Sequence, residues 1–169
     1  MSAKTVRLMG FDVDGVFTDG ILYYGPNGDA LKAFNILDGI GLKLLQKAGI
    51  QVAIITGRKS PMVEKRFEEL DVNFIFQARE DKGAALLEIA ATLNLTRDDL
   101  GYMGDDYPDL SAAEVCGFFA SVPNSPEIVR AQADYITQSQ GGHGAVRELA
   151  EFILIAQGLT PDVVYRGNA

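Results

Sequence analysis

The sequence predicts an α/β fold: a parallel sheet with helices on both faces, plus a small β-hairpin flap. Two observations predict it. Short apolar runs of strand length alternate with segments whose apolar residues recur at helical spacing, and such alternation builds a parallel sheet covered on both sides. Three of the runs end on polar residues, at Asp12, Thr56 and Asp105. In such sheets ligands sit beyond the carboxyl ends of the strands.

Taken in order, Val6 to Asp12 reads as the first buried strand. Ile21 to Tyr24, the turn cluster Gly25-Pro26-Asn27-Gly28 and an extended piece from 29 to 34 read as a hairpin, making a flap of about residues 18–34. Ile40, Leu44, Leu45 and Ala48 share a helical face, and Gly49 stops that helix. Val52 to Ile55 is a strand, and Ser60-Pro61 starts a helix running to about Leu70. Asn73 to Phe76 is extended. Lys82 opens a helix lined by Ala85, Leu86, Ile89, Ala90 and Leu93. Thr96 to Asp99 caps a turn or short helix. Leu100–Met103, Phe118–Ser121 and Tyr135-Ile136 are further strands, separated by helical segments over 108–115 and 126–132. A last helix begins near Gly144, and the tail after Leu159 reads as polar. No repeat, linker or low-complexity tract interrupts a single domain spanning 1–169.

Composition narrows the function classes. At 47% hydrophobic and 22% charged residues the chain is an ordinary globular protein. A net charge of −8 argues against nucleic acid or an anionic membrane as main partner, so an anionic substrate must be met by individual Lys and Arg residues. Cys116 is the sole cysteine, which rules out an internal disulfide and fits a reducing compartment; a small buried hydrophobe is its better reading. The N-terminus lacks a signal-peptide apolar region and no apolar run approaches spanning length. A cytoplasmic protein is expected.

The chemistry starts at Asp12-Val13-Asp14-Gly15. Side chains at i and i+2 leave one face of an extended chain, so both acids crowd one spot. Two such charges are not both cheaply ionised without a cation, and a hard, oxygen-seeking ion such as Mg²⁺ relieves the repulsion. Gly15 allows a sharp turn that brings backbone N–H groups to the same point. An Asp-x-Asp can also be an exposed turn. Its company decides: Thr56-Gly57-Arg58 ends one apolar run, Lys82 opens a helix, and Gly104-Asp105-Asp106 with Asp109 follows another run.

Asp, Thr, Lys and Asp in that order resemble the motif set of the haloacid dehalogenase superfamily of phosphohydrolases. The longer wording is more specific. Asp12 to Gly20, Phe34-Asn35 with Asp38-Gly39, Ile55-Thr56-Gly57-Arg58 and Gly141 to Glu148 resemble the 3-deoxy-D-manno-octulosonate 8-phosphate phosphatase family, over roughly Val6 to Gly158. The resemblance implies a Rossmann-like sheet. It makes Asp12 the nucleophile, Asp14 the proton donor and acceptor, and Asp12, the Asp14 carbonyl and Asp105 the ligands of Mg²⁺. Thr56 and Gly57 hold phosphoryl oxygens, Lys82 neutralises charge, and Asp106 and Asp109 hold metal waters. Superfamily lids are inserted after the first motif or between Thr56 and Lys82; both intervals are too short, so no cap domain is expected.

A sugar-acid phosphate needs cations for its carboxylate. Arg58 and Arg66 could share a helix face, and Asn35 and Lys43 lie where the family contacts substrate. Many members carry Arg before the Asp-Gly, where Leu37 stands here; a fork-shaped carboxylate ligand is thereby lost, and a related nine-carbon sugar-acid phosphate stays open as substrate. His143, between glycines, reads as an exposed loop residue. Two other classes compete. A signalling receiver also uses Asp, Thr and Lys, but places its phosphorylated Asp after a middle strand, and a regulatory subunit with a degenerate site would not keep the whole set. The family's members are homotetramers with hairpins at the centre, so a homotetramer is expected, its tail helping to close a neighbour's site.

Overall fold

A computed structural model describes residues 3–167, so the ends of the expected 1–169 domain lie outside the described residues. Six parallel strands form one sheet: β1 (Leu8–Phe11), β4 (Gln51–Ile55), β5 (Phe74–Phe76), β6 (Leu100–Gly104), β7 (Phe118–Ser121) and β8 (Tyr135–Ile136), in the order β5-β4-β1-β6-β7-β8. β1 is the switch point. The chain leaves it toward β4 and β5, then returns to lay β6 on its other edge. β1 pairs in register with both neighbours, Phe11 opposite Ile54 and Met103, so Asp12, Thr56 and Asp105 emerge close together.

The four central strands are buried on both faces, with side chains assigned by the period of two. Met9 and Phe11 join Leu42, Leu45, Phe67, Val146 and Leu149 in one core layer. Leu8 joins Ala53, Ile55, Leu86, Ile89, Tyr102 and Phe119 in the other. The first layer is covered by α1 (Ile36–Lys47), α2 (Pro61–Glu69) and α6 (Ala145–Ala156); the second by α3 (Lys82–Leu93), α4 (Leu110–Val115) and the short α5 (Glu127–Arg130). The antiparallel strands β2 (Tyr23–Gly25) and β3 (Gly28–Leu31) form the flap between β1 and α1. Only α2 and β5 lie between β4 and α3, and no cap domain is present among the described residues.

Three elements depart from expectation. α1 begins at Ile36, a turn before its apolar face, because the Asn35 side chain accepts from the Leu37 amide at 2.9 Å. Residues Tyr107–Asp109 form a single 3₁₀ turn ahead of α4 rather than its first turn. The tail read as polar folds into α7 (Pro161–Arg166) and docks on α1 of its own chain: Val164 is buried, and the Lys47 ammonium lies 4.6 Å from the Tyr165 ring centroid. Among the described residues, no helix is long and apolar enough to cross a membrane.

Candidate active site

At the carboxyl end of β1 the chain turns at once. Phe17 and Thr18 donate to the Val13 carbonyl, and Thr18 Oγ1 accepts from Gly15 and Gly20 at 3.3 and 3.2 Å. The loop from Gly141 to Gly144 closes it from behind. Gly142 donates to the Val16 carbonyl, and a Cβ on Gly141 would stand 1.7 Å from the Gly15 oxygen, a space only glycine leaves open. Asn35 Nδ2 donates to the Gly142 carbonyl. The Asp38 carboxylate accepts from the Gly144 and Arg147 amides, capping α6 where Gly144 has no side chain to do so. Burial raises the Asp38 carboxyl, and those amides work against the rise.

The site itself is a cleft of about 740 Å³. Of the expected residues, Asp12, Asp14, Thr56, Gly57, Arg58, Lys82, Asp105, Asp106 and Asp109 line it, together with Glu80. Lys82 Nζ stands 3.0 Å from Asp12 Oδ2 and 2.6 Å from Asp109 Oδ1, all three groups nearly sealed from solvent. Burial alone would lower the Lys82 ammonium, but the two carboxylates overcome it and hold it above its ordinary value.

Carboxylate oxygens of Asp12, Asp105 and Asp109 all lie within 4.8 Å of one another. Burial pushes the Asp12 carboxyl up to about 7, Asp109 adding to the rise and Lys82 opposing it. Burial, then Asp12 and Asp109, push Asp105 up to about 8. Two buried carboxylates and the half-buried Asp105 beside one ammonium are short of positive charge, which suits a hard dication. Asp109 is already satisfied: Oδ1 accepts from Lys82 and from Tyr102 Oη at 3.2 Å, Oδ2 from the Asp105 and Asp106 amides at 2.9 and 3.1 Å. Asp12 and Asp105 are therefore the carboxylates left to hold the ion. Fully buried, Asp109 props Lys82 and the loop. Asp106 is exposed and caps the Tyr107 amide.

Three expected substrate residues stand outside the cleft. Lys43, about 10 Å along α1 from the helix start, bonds the Leu70 carbonyl and Asp71 at 2.6 Å each. Arg66 lies against Gly39 and pairs with Glu69 at 3.9 Å. Asn35 is occupied as cap and loop tie. Leu37 is half exposed, and His143 is exposed with Nδ1 2.9 Å from the Gly141 oxygen. Cys116 is buried and unpaired, its thiol pushed up to about 11 by burial.

Sequence reasoning missed Lys32. It follows β3 on the flap, yet its side chain is buried and its ammonium bonds Asp14 Oδ1. Arg58 Nε stands 3.8 Å from the other Asp14 oxygen. A signal existed in the burial that alternates along the flap strand, but Lys among apolar residues reads naturally as the solvent-facing one.

Residues 74–149 match the haloacid dehalogenase-like hydrolase family. The chain is 40% identical over 156 residues to the 3-deoxy-D-manno-octulosonate 8-phosphate phosphatase KdsC of Escherichia coli K12, covering 92% of this chain and 83% of that protein. The phosphatase of the same name from Moraxella catarrhalis, solved with magnesium, phosphate and KDO, superposes with a TM-score of 0.89 at 47% identity, over 92% of this chain and 90% of that one. The cobalt-bound Haemophilus influenzae phosphatase superposes at 0.93, with 36% identity over 99% and 98% of the two chains.

Proposed function

This chain belongs to the 3-deoxy-D-manno-octulosonate 8-phosphate phosphatases, within the haloacid dehalogenase-like hydrolases, and we propose that it releases phosphate from that sugar acid in a Mg²⁺-dependent reaction of lipopolysaccharide biosynthesis. The observation that carries the reading is Lys82 held between Asp12 and Asp109, facing an open cleft in which Asp12 and Asp105 keep carboxylate oxygens free. Relatives of the same family and fold carry that activity in their names.

Asp12 attacks phosphorus, forming an acyl phosphate as the ester P–O bond breaks. Asp14 gives a proton to the departing sugar oxygen, then takes one from the water that displaces Asp12 from phosphorus. Thr56 Oγ1 and the Gly57 amide hydrogen-bond the phosphoryl oxygens, and Lys82 offsets charge on Asp12 and the transferred group. Mg²⁺, held by Asp12, Asp105 and the Asp14 carbonyl, supplies charge neutralisation and in-line alignment when bound. Arg58 meets the sugar carboxylate from the rim.

In this reading a single catalytic domain works in the cytoplasm as a homotetramer. Its support is the flap, where Ile21, Leu22, Tyr23, Tyr24 and Leu31 are all exposed; an isolated two-stranded hairpin is marginal in water, and identical flaps would bury these faces in a closed ring. Leu37 favours one second reading, a related nine-carbon sugar-acid phosphate as substrate. Phosphate release from a panel of eight- and nine-carbon sugar-acid phosphates under Mg²⁺ tests both. No release from any of them, or from an aryl phosphate, would return the chain to a receiver-like or non-catalytic role.

A further inference from the structure

The flap strand is turned against its own chemistry. Leu31 is 49% exposed, whereas the Lys32 side chain is 3% exposed. Beyond it Ala33 is exposed, and Phe34 packs edge-on against Phe67 at 5.9 Å between centroids. Residues two apart share a face of an extended chain, so Lys32 and Phe34 both point to the body of the protein. Burying an ammonium is costly without a partner. Its partner is Asp14.

Asp14 is thus gripped on both oxygens, by Lys32 at Oδ1 and by Arg58 at Oδ2 across 3.8 Å. The grips differ. The Arg58 side chain is 40% exposed at the cleft, whereas Lys32 is enclosed. Asp14 also stands beside a position that draws carboxylates. A side chain free to rotate would be captured there by a dication and lost for proton transfer.

We propose that Lys32 is a positioning residue: from the flap it fixes the Asp14 carboxylate toward the leaving oxygen and out of the metal's coordination. It meets neither the substrate nor the metal and acts only through Asp14. The inference rests on the reading of Asp14 as proton donor, and it makes the flap part of the catalytic apparatus as well as an assembly surface.

The test compares leaving groups. The sugar alkoxide needs a proton to depart, whereas p-nitrophenolate does not, and kcat/KM reports the steps through the first departure. In Lys32→Met, kcat/KM for 3-deoxy-D-manno-octulosonate 8-phosphate is expected to fall about 10²-fold or more, in the range of a lost general acid. For p-nitrophenyl phosphate the fall is at least about tenfold smaller. Lys32→Arg restores much of the loss, and Mg²⁺ affinity, read from the shift in Tm on adding the ion, does not weaken. Lys32→Gln gives the same comparison should the Met variant not fold. Equal losses on both substrates, no loss on either, or weakened Mg²⁺ binding would overturn the proposal. Wild-type protein inactive on both substrates would instead defeat the phosphatase reading, and the role of Lys32 with it.

Discussion

Gly15 and Asp105 compete for one space: a Cβ added to Gly15 would lie 2.0 Å from Asp105 Oδ2. Gly15 also has φ +89°, a conformation that L side chains rarely adopt. The turn that follows Asp12 and the carboxylate that reaches it from β6 therefore depend on one missing methyl group.

Gly15→Ala should displace Asp105 and weaken Mg²⁺ binding by at least about tenfold, in keeping with losses on disturbing a metal site's supports. Calorimetric titration with Mg²⁺ checks it. Unchanged affinity would mean that Asp105 is not a ligand.

Asp12→Asn should abolish turnover, by at least about 10⁴-fold in kcat as for other lost nucleophiles. The fold should persist, since the change is nearly isosteric and removes a charge that burial already disfavours. Phosphate release by the purified variant, with circular dichroism for the fold, tests this; substantial residual Mg²⁺-dependent activity would show that another group attacks.

The metal-free protein should lose stability as pH rises. Asp12 and Asp105 carry folded values of about 7 and about 8 against an ordinary 3.8. Between about 4 and 8 the folded state therefore binds more protons than the unfolded chain, and stability falls with pH across that window. Relative to Asp105→Asn, the Tm of the wild type should fall from pH about 5 to about 8 in chelator, and saturating Mg²⁺ should remove the slope. A slope of opposite sign would mean that these carboxylates are not raised.

The α7 helix should matter to its own subunit first. Val164 is 2% exposed beneath it, so Val164→Ala should cost about 1–2 kcal/mol, and truncation after Leu159 more. Chemical denaturation measures both. A truncated chain of full stability but reduced kcat/KM would instead favour a tail that serves a neighbour's site.

Leu31→Lys should dissociate the assembly without unfolding the subunit, because Leu31 contributes its side chain to an exposed face rather than to the core. Light scattering on wild type and variant reads the mass directly. A wild-type monomer, fully active at assay concentration, would end the shared-flap reading.

Much of the site was legible because its residues end or begin regular elements. Asp12, Thr56 and Asp105 terminate apolar runs, and Lys82 opens a helix with Asp81 capping the Ala84 amide at 3.0 Å. That Lys43 lies outside the cleft was not legible, because a position in sequence carries no axial distance along its helix. Lys32 escaped because composition puts leucine inside and lysine outside, and here a partner across the chain reverses that order. The signals for α7 were written out: Thr160 before Pro161, Asp162 in the first turn and Gly167 beyond the end. With only two adjacent valines to bury, the segment lacks the periodic stripe that announces longer helices.

The loop of Gly141 to Gly144 has a consequence for synthesis. Asp12 is made well before the glycines that prop the turn beside it, and Asp38 finds amide partners at Gly144 and Arg147. A nascent chain still lacking that stretch holds every acid of the metal site without the backing that shapes it. Catalytic competence therefore waits for that stretch, and a ribosome-bound fragment ending before Gly141 should have no phosphatase activity even though its central strands have already been made.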